Sequence, residues 1–139
     1  MRSARHRARA AAMQGLYEWL VAAGDPRLIG REIETGNHWS KIDQTYFQAL
    51  WQGVFEHVSA LQEALQPHLD RAWEEVSPVE RAILLVGAFE LQHRPDIPYR
   101  VAINEGVELA KTFGGTDGHK FINGVLDQLS LAARSAERA

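Results

Sequence analysis

The chain has 139 residues, enough for one compact domain with its own core. Its 45% hydrophobic content excludes wholesale disorder, and the lack of cysteine excludes a disulfide framework, a thiolate nucleophile and thiolate metal ligands. The net charge of −3 hides an asymmetry: Arg2, Arg5, Arg7 and Arg9 put +4 into the first nine residues, no acid precedes Glu18, and the remainder carries −7. A basic arm on an acidic body suits a polyanion at one end and a basic protein elsewhere, although a solvated, frayed terminus has the same composition.

No run reaches the roughly 18 apolar residues of a membrane span. The stretch Met13 to Val21 is broken by Gln14, Gly15 and Glu18, so it is no signal-peptide core. A soluble, cytoplasmic chain without a membrane partner is expected.

Nothing reads as strand, and helical periodicity recurs throughout. The first helix is predicted from about Ala4 to Ala23, with Ala8, Ala12, Leu16, Trp19 and Leu20 as its apolar stripe. Arg2, Arg5 and Arg9 line a neighbouring face. Gly24 ends this helix, and Asp25-Pro26 opens a shorter one holding Leu28, Ile29 and Ile33. Ser40 with Asp43 reads as the start of the third helix. Its stripe of Phe47, Leu50, Val54, Val58, Leu61 and Leu65 is the clearest amphipathic signal, and Pro67 stops it. A short helical segment with Leu69 and Trp73 follows.

Ser77-Pro78-Val79-Glu80 is a helix start with a cap, a first-turn proline and a capping-box acid. Val79, Ile83, Val86 and Leu91 are expected to face the core. Pro95 and Pro98 bracket a connector. The next helix carries Ala102, Leu109, Ala110 and Phe113 and stops at Gly114-Gly115. Thr116 or Asp117 caps the last, with Ile122, Val125, Leu126 and Leu129 as its stripe. The tail from about Ala132 lacks a core pattern and is expected to fray. The fold class is all-α: about seven helices in two small packed bundles, about 1–67 and about 68–133, within one domain.

Chemistry-bearing motifs are absent. There is no HExxH, phosphate-cradling glycine loop or EF-hand loop, and the six histidines are scattered. Glu108 one turn before Lys111 is an ordinary helix pair. No catalytic residue, metal ligand or cofactor is predicted.

Three stretches carry a family resemblance: DIPYRVAINEGVELAKTFGGTDGHKFINGVLDQ at Asp96 to Gln128, SPVERAILLVGAFEL at Ser77 to Leu91, and the arginine-rich start leading into Met13-Gln14-Gly15-Leu16-Tyr17. They resemble the NusB family of transcription antitermination factors. The resemblance implies a non-enzymatic adaptor of two helical bundles. It implies binding of boxA RNA together with NusE, which is also a small-subunit ribosomal protein, and joining of elongating RNA polymerase with other Nus factors, notably on ribosomal RNA operons. NusB-like domains also occur fused to RNA methyltransferases, but this chain has no room for a catalytic domain. Gly106 departs from the family by standing where alanine is usual, and Gly115 and Gly118 loosen the linker before the last helix.

Guanidinium forks bind phosphate and stack on bases, so Arg2, Arg5, Arg7 and Arg9, with His6, are RNA candidates. Single-stranded RNA also needs planar partners. Phe121 falls about a quarter-turn from the centre of its helix's apolar stripe. Geometry alone favours a boundary core residue, and the resemblance points to base stacking. Thr116, Gly118 and Lys120 sit at the start of the same helix, where backbone amides attract anions. Asp117 opposes phosphate and reads as a cap or a tuner of affinity. Lys111 closes the preceding helix. The arm and the 111–121 corner are expected to converge on one RNA surface. For the protein partner, Glu74, Glu75, Glu80 and Glu90 concentrate acid near the fifth helix, and Tyr17 and Glu80 are the leading interface candidates. A protein-only docking module is the alternative reading.

Overall fold

A computed structural model describes residues 2–139. These described residues form seven α-helices: α1 (Ala4–Ala22), α2 (Pro26–Glu34), α3 (Gln44–Leu65), α4 (Pro78–His93), α5 (Tyr99–Phe113), α6 (Gly118–Ala133) and α7 (Ser135–Arg138). Short 3-10 turns at 39–41, 66–68 and 73–75 join them, and there is no strand among the described residues.

The starts follow local chemistry. Ser3 accepts from the His6 amide at the head of α1, Asp25 from Arg27 at α2, and Ser77 from Glu80 at α4. The third helix starts later than predicted. Asp43 alone caps it, through the Tyr46 amide, while Ser40 lies in the preceding 3-10 turn. The expected side-chain cap on α6 is also missing: Asp117 holds the cap position without a capping bond and pairs with Lys120 instead.

The centre is α4. Every residue from Ala82 to Leu91 is buried, because AILLVGAFEL is apolar around nearly its whole circumference. Helices α1, α3, α5 and α6 surround it. The expected one-sided stripe is therefore too narrow, and Val79 at the helix start is only half-buried. Close approach depends on two glycines. A Cβ on Gly87 would stand 2.7 Å from Leu126 Cδ1, and one on Gly106 would stand 2.9 Å from the same atom. Leu126 of α6 thus fills a notch between α4 and α5, which gives Gly106 a packing reason that offsets its weak helix propensity. In the first half, an aromatic chain of Trp19, Phe55, Trp51, Phe47 and Trp39 runs edge-on and stacked between α1 and α3.

The tail does not fray. Arg134 is buried and donates to the Leu91, Glu90 and Arg94 carbonyls at 2.7, 3.0 and 2.8 Å, closing the exposed C-terminal end of α4. Glu137 pairs with Arg134 and accepts from the Tyr99 amide at the start of α5. The tail lacks an apolar stripe because polar capping holds it. Arg134→Ala should cost about 2–3 kcal/mol by urea denaturation, since it strips charged hydrogen bonds from buried carbonyls. Gly87→Ala should also lower the midpoint, by about 1–3 kcal/mol of overpacking against Leu126.

Candidate nucleic-acid interface

Residues 2–9 fold onto the body, with Ala4–Arg9 as the opening of α1, so each basic side chain has its own direction. Arg9 points inward. Its Nε donates to Glu90 Oε2 at 2.8 Å and its Nη1 to Glu105 Oε1 at 2.6 Å, with the side chain 3% exposed. Tyr46 of α3 donates its hydroxyl to Glu90 as well. His6 Nδ1 lies 3.0 Å from Glu105 Oε2. One polar cluster therefore ties α1, α3, α4 and α5 together. Burial works against charge on Arg9, but Glu90, Tyr46 and Glu105 outweigh it and hold the guanidinium above its ordinary pKa. Burial and the Glu90 carboxylate push the Tyr46 phenol well above its usual range, so it stays a donor. Burial likewise raises the Glu90 carboxyl, against the pull of Arg9 and Tyr46.

Three sequence assignments change accordingly. Arg9 and His6 are turned inward as structural partners of Glu90 and Glu105, away from the exposed surface to which they were assigned. Glu90 is 1% exposed and is no part of a protein-docking surface. Sequence missed this because the carboxylates lie more than 80 residues from the arm. The signal available was a lone Glu inside the apolar run of α4, which must have a partner when buried.

The rest of the arm remains outside. Arg2 pairs with Glu108 at 3.3 Å, and Lys111 approaches the same carboxylate at 3.8 Å. The start of α1 and the end of α5 thus share one exposed patch. Arg5 lies 3.7 Å from Asp43 and covers the Tyr46 ring at 4.3 Å. Arg7 has no carboxylate within ion-pair distance among the described residues. Its side chain lines a cleft on the opposite face of α1 from Arg9.

At the head of α6, Thr116, Asp117 and Lys120 are exposed. Gly118 is buried: its amide donates to Gly115, and a Cβ there would stand 3.0 Å from Glu80 Oε2. It is a packing position and offers no amide to phosphate, which corrects its assignment as an RNA contact. Phe121 is half-buried against the core, with the Arg71 guanidinium 4.9 Å from its ring centroid. Arg71 was missed because it follows Asp70 in a turn without periodicity. On the acidic side, Glu74 and Glu75 are exposed in the 73–75 turn, Glu80 is half-buried and accepts from the Ser77 hydroxyl, and Tyr17 is 41% exposed on α1.

The buried cluster has a measurable consequence. Arg9→Met should destabilise the fold by about 3–5 kcal/mol in chemical denaturation, because it strands a buried carboxylate. Pairing it with Glu90→Leu should recover much of that loss, since both charges then go. Equal and additive losses from the two substitutions would show that they do not act as a pair.

Comparison with known proteins gives a consistent picture. The NusB family model matches residues 6–130. The transcription antitermination protein NusB of Nitrosomonas europaea is 51% identical over 96% of this chain and 80% of its own length. That of Ralstonia pickettii is 51% identical over 99% of this chain and 89% of its own. The solved structure of T. maritima NusB superposes with a TM-score of 0.79 at 25% identity, covering 94% of this chain and 92% of that one. With a family match over most of its length and relatives at half identity, the chain belongs to the NusB family.

Proposed function

We propose that this chain is a transcription antitermination adaptor that binds boxA-type single-stranded RNA together with NusE and joins elongating RNA polymerase and other Nus factors in the cytoplasm, notably on ribosomal RNA operons. It works by binding, without catalysis of its own. The observation that carries the RNA assignment is the meeting of Arg2 and Lys111 on Glu108. Two basic groups more than 100 residues apart in sequence stand on one exposed patch, each held by a single shared carboxylate that a phosphate can displace. Arg5, Thr116 and Lys120 add polar and cationic reach, Asp117 tunes the local charge, and Phe121 offers a ring for base stacking. NusE docks through Tyr17 and the acidic group of Glu74, Glu75 and Glu80, where opposite charge speeds encounter with a basic ribosomal protein.

Fluorescence titration of labelled boxA RNA against a scrambled RNA, with and without NusE at two salt concentrations, tests the reading. BoxA should be preferred, NusE should tighten it, and affinity should fall as salt rises. Arg2→Ala and Lys111→Ala should each weaken binding severalfold and flatten the salt slope by about 0.7 per lost phosphate contact. Phe121→Ala should weaken binding about tenfold with the slope intact. Absence of RNA binding even with NusE present would leave a protein-only docking module.

A further inference from the structure

On the face of α1 away from the buried cluster lies a cleft of about 540 Å³, within the ~300–1,000 Å³ span of pockets that take small ligands. Helix α1 supplies one wall through Ala10, Ala11 and Gln14, and Ile33 of α2 with Trp39 of the connecting turn supplies the other. Both Ile33 and Trp39 are half-buried, and Trp39 is held edge-on against Phe47 at 5.5 Å and 88°, so its ring is fixed in place. Arg7 stands at one end. The other three arginines of the arm each meet a carboxylate: Arg2 with Glu108, Arg5 with Asp43, and Arg9 with Glu90 and Glu105. Arg7 alone among them has none within ion-pair distance among the described residues. Glu18 closes the other end, about 16 Å further along the helix at 1.5 Å per residue.

We propose that this cleft takes one unstacked nucleotide of the bound single-stranded RNA, with its phosphate on Arg7 and its base against Trp39. The inference rests on the RNA-binding reading above and extends it to a second contact region, on a different face of α1 from the Arg2–Lys111 patch. The charge order sets the polarity of the ligand. A phosphate belongs at the Arg7 end and is repelled from the Glu18 end, whereas the exocyclic amines of a base are donors suited to Gln14 and Glu18. An aromatic wall beside an uncommitted guanidinium is the pairing that holds single-stranded bases by stacking and phosphates by charge.

The test separates this cleft from the parent reading. Ala11→Leu adds bulk inside the cleft at a helix position that leucine tolerates, and removes no charge. It should weaken boxA RNA binding about tenfold and leave the salt slope unchanged. Arg7→Ala should weaken binding and flatten the slope by about 0.7, as one lost phosphate contact does. Circular dichroism and thermal melting of each variant check the fold. Should Ala11→Leu fail to fold, wild-type protein cross-linked to RNA carrying single 4-thiouridine substitutions decides the matter, because one position should label the peptide containing Trp39. RNA affinity untouched by Ala11→Leu, or cross-links that avoid residues 33–42, overturns the cleft while leaving the Arg2–Lys111 surface standing. Weakened NusE binding with RNA affinity intact would make the cleft a protein groove and also overturn it. Wild-type protein that binds no RNA with or without NusE removes both readings.

Discussion

The fold turns on a buried ion cluster whose members come from four helices. Arg9, Glu90, Glu105, Tyr46 and His6 meet beside the central helix. Taking a guanidinium and a carboxylate out of water costs several kcal/mol per ion, and the cost is offset only while the donors and acceptors around them are matched. That requirement fixes how α1, α3, α4 and α5 sit relative to one another. Greasy contacts tolerate sliding, whereas this cluster tolerates little. It also explains why a segment that composition alone allows to be a loose tail is a rooted helix. Arg9 and His6 anchor it from inside, and so aim Arg2, Arg5 and Arg7 in separate directions.

Around that cluster, shape does the remaining work. The central helix is apolar on all sides and needs neighbours on all sides. Gly87 and Gly106 let α4, α5 and α6 come close enough for Leu126 to sit between them. At the C-terminal end of α4 the Glu90 and Arg94 carbonyls already accept from the Arg94 and Ile97 amides, and Arg134, from the far end of the chain, adds a second bond to each and meets the Leu91 carbonyl as well. The same residue brings Glu137 to the first amide of α5, so the tail clamps the connector between the two helices. Packing and polar closure thus converge on one helix.

This arrangement changes how the arm's charge should be understood. Four arginines in nine residues suggest a concentrated positive field, yet three of them already face carboxylates. Among the described residues of the arm, what reaches solvent is the exchangeable pairs of Arg2 and Arg5 and the Arg7 guanidinium, which meets no carboxylate there. Exposed pairs such as Arg2 with Glu108 contribute little stability, about 0–1 kcal/mol, so a polyanion can replace the carboxylate at small cost. An acidic chain can in this way hold its basic groups ready without a strongly positive surface. Competition from Glu108, Asp43 and Asp117 also favours ligands that bring several phosphates and bases at once over simple anions.

Sequence by itself determined the long helices, because 3.6-residue periodicity, Asp25- and Ser77-type caps and proline or glycine stops are all local properties, whereas the expected helical segment around Leu69 and Trp73 is only a 3-10 turn and α7 had no local signal. It determined the family too, since long stretches of residues match in order. It also singled out Arg2, Arg5, Arg7, Lys111, Lys120 and Phe121 as candidates for the proposed RNA surface, and the fold leaves each of them at least partly exposed. The inward turn of Arg9, the burial of Glu90 and the packing of Gly118 under Glu80 were decided only in three dimensions. So were the convergence of Arg2 and Lys111 on one carboxylate, the Arg71 cover on Phe121 and the cleft beside Arg7. Each depends on which residue from a distant helix arrives within a few ångströms, and a charge in sequence carries no mark of whether its partner will be water or another side chain.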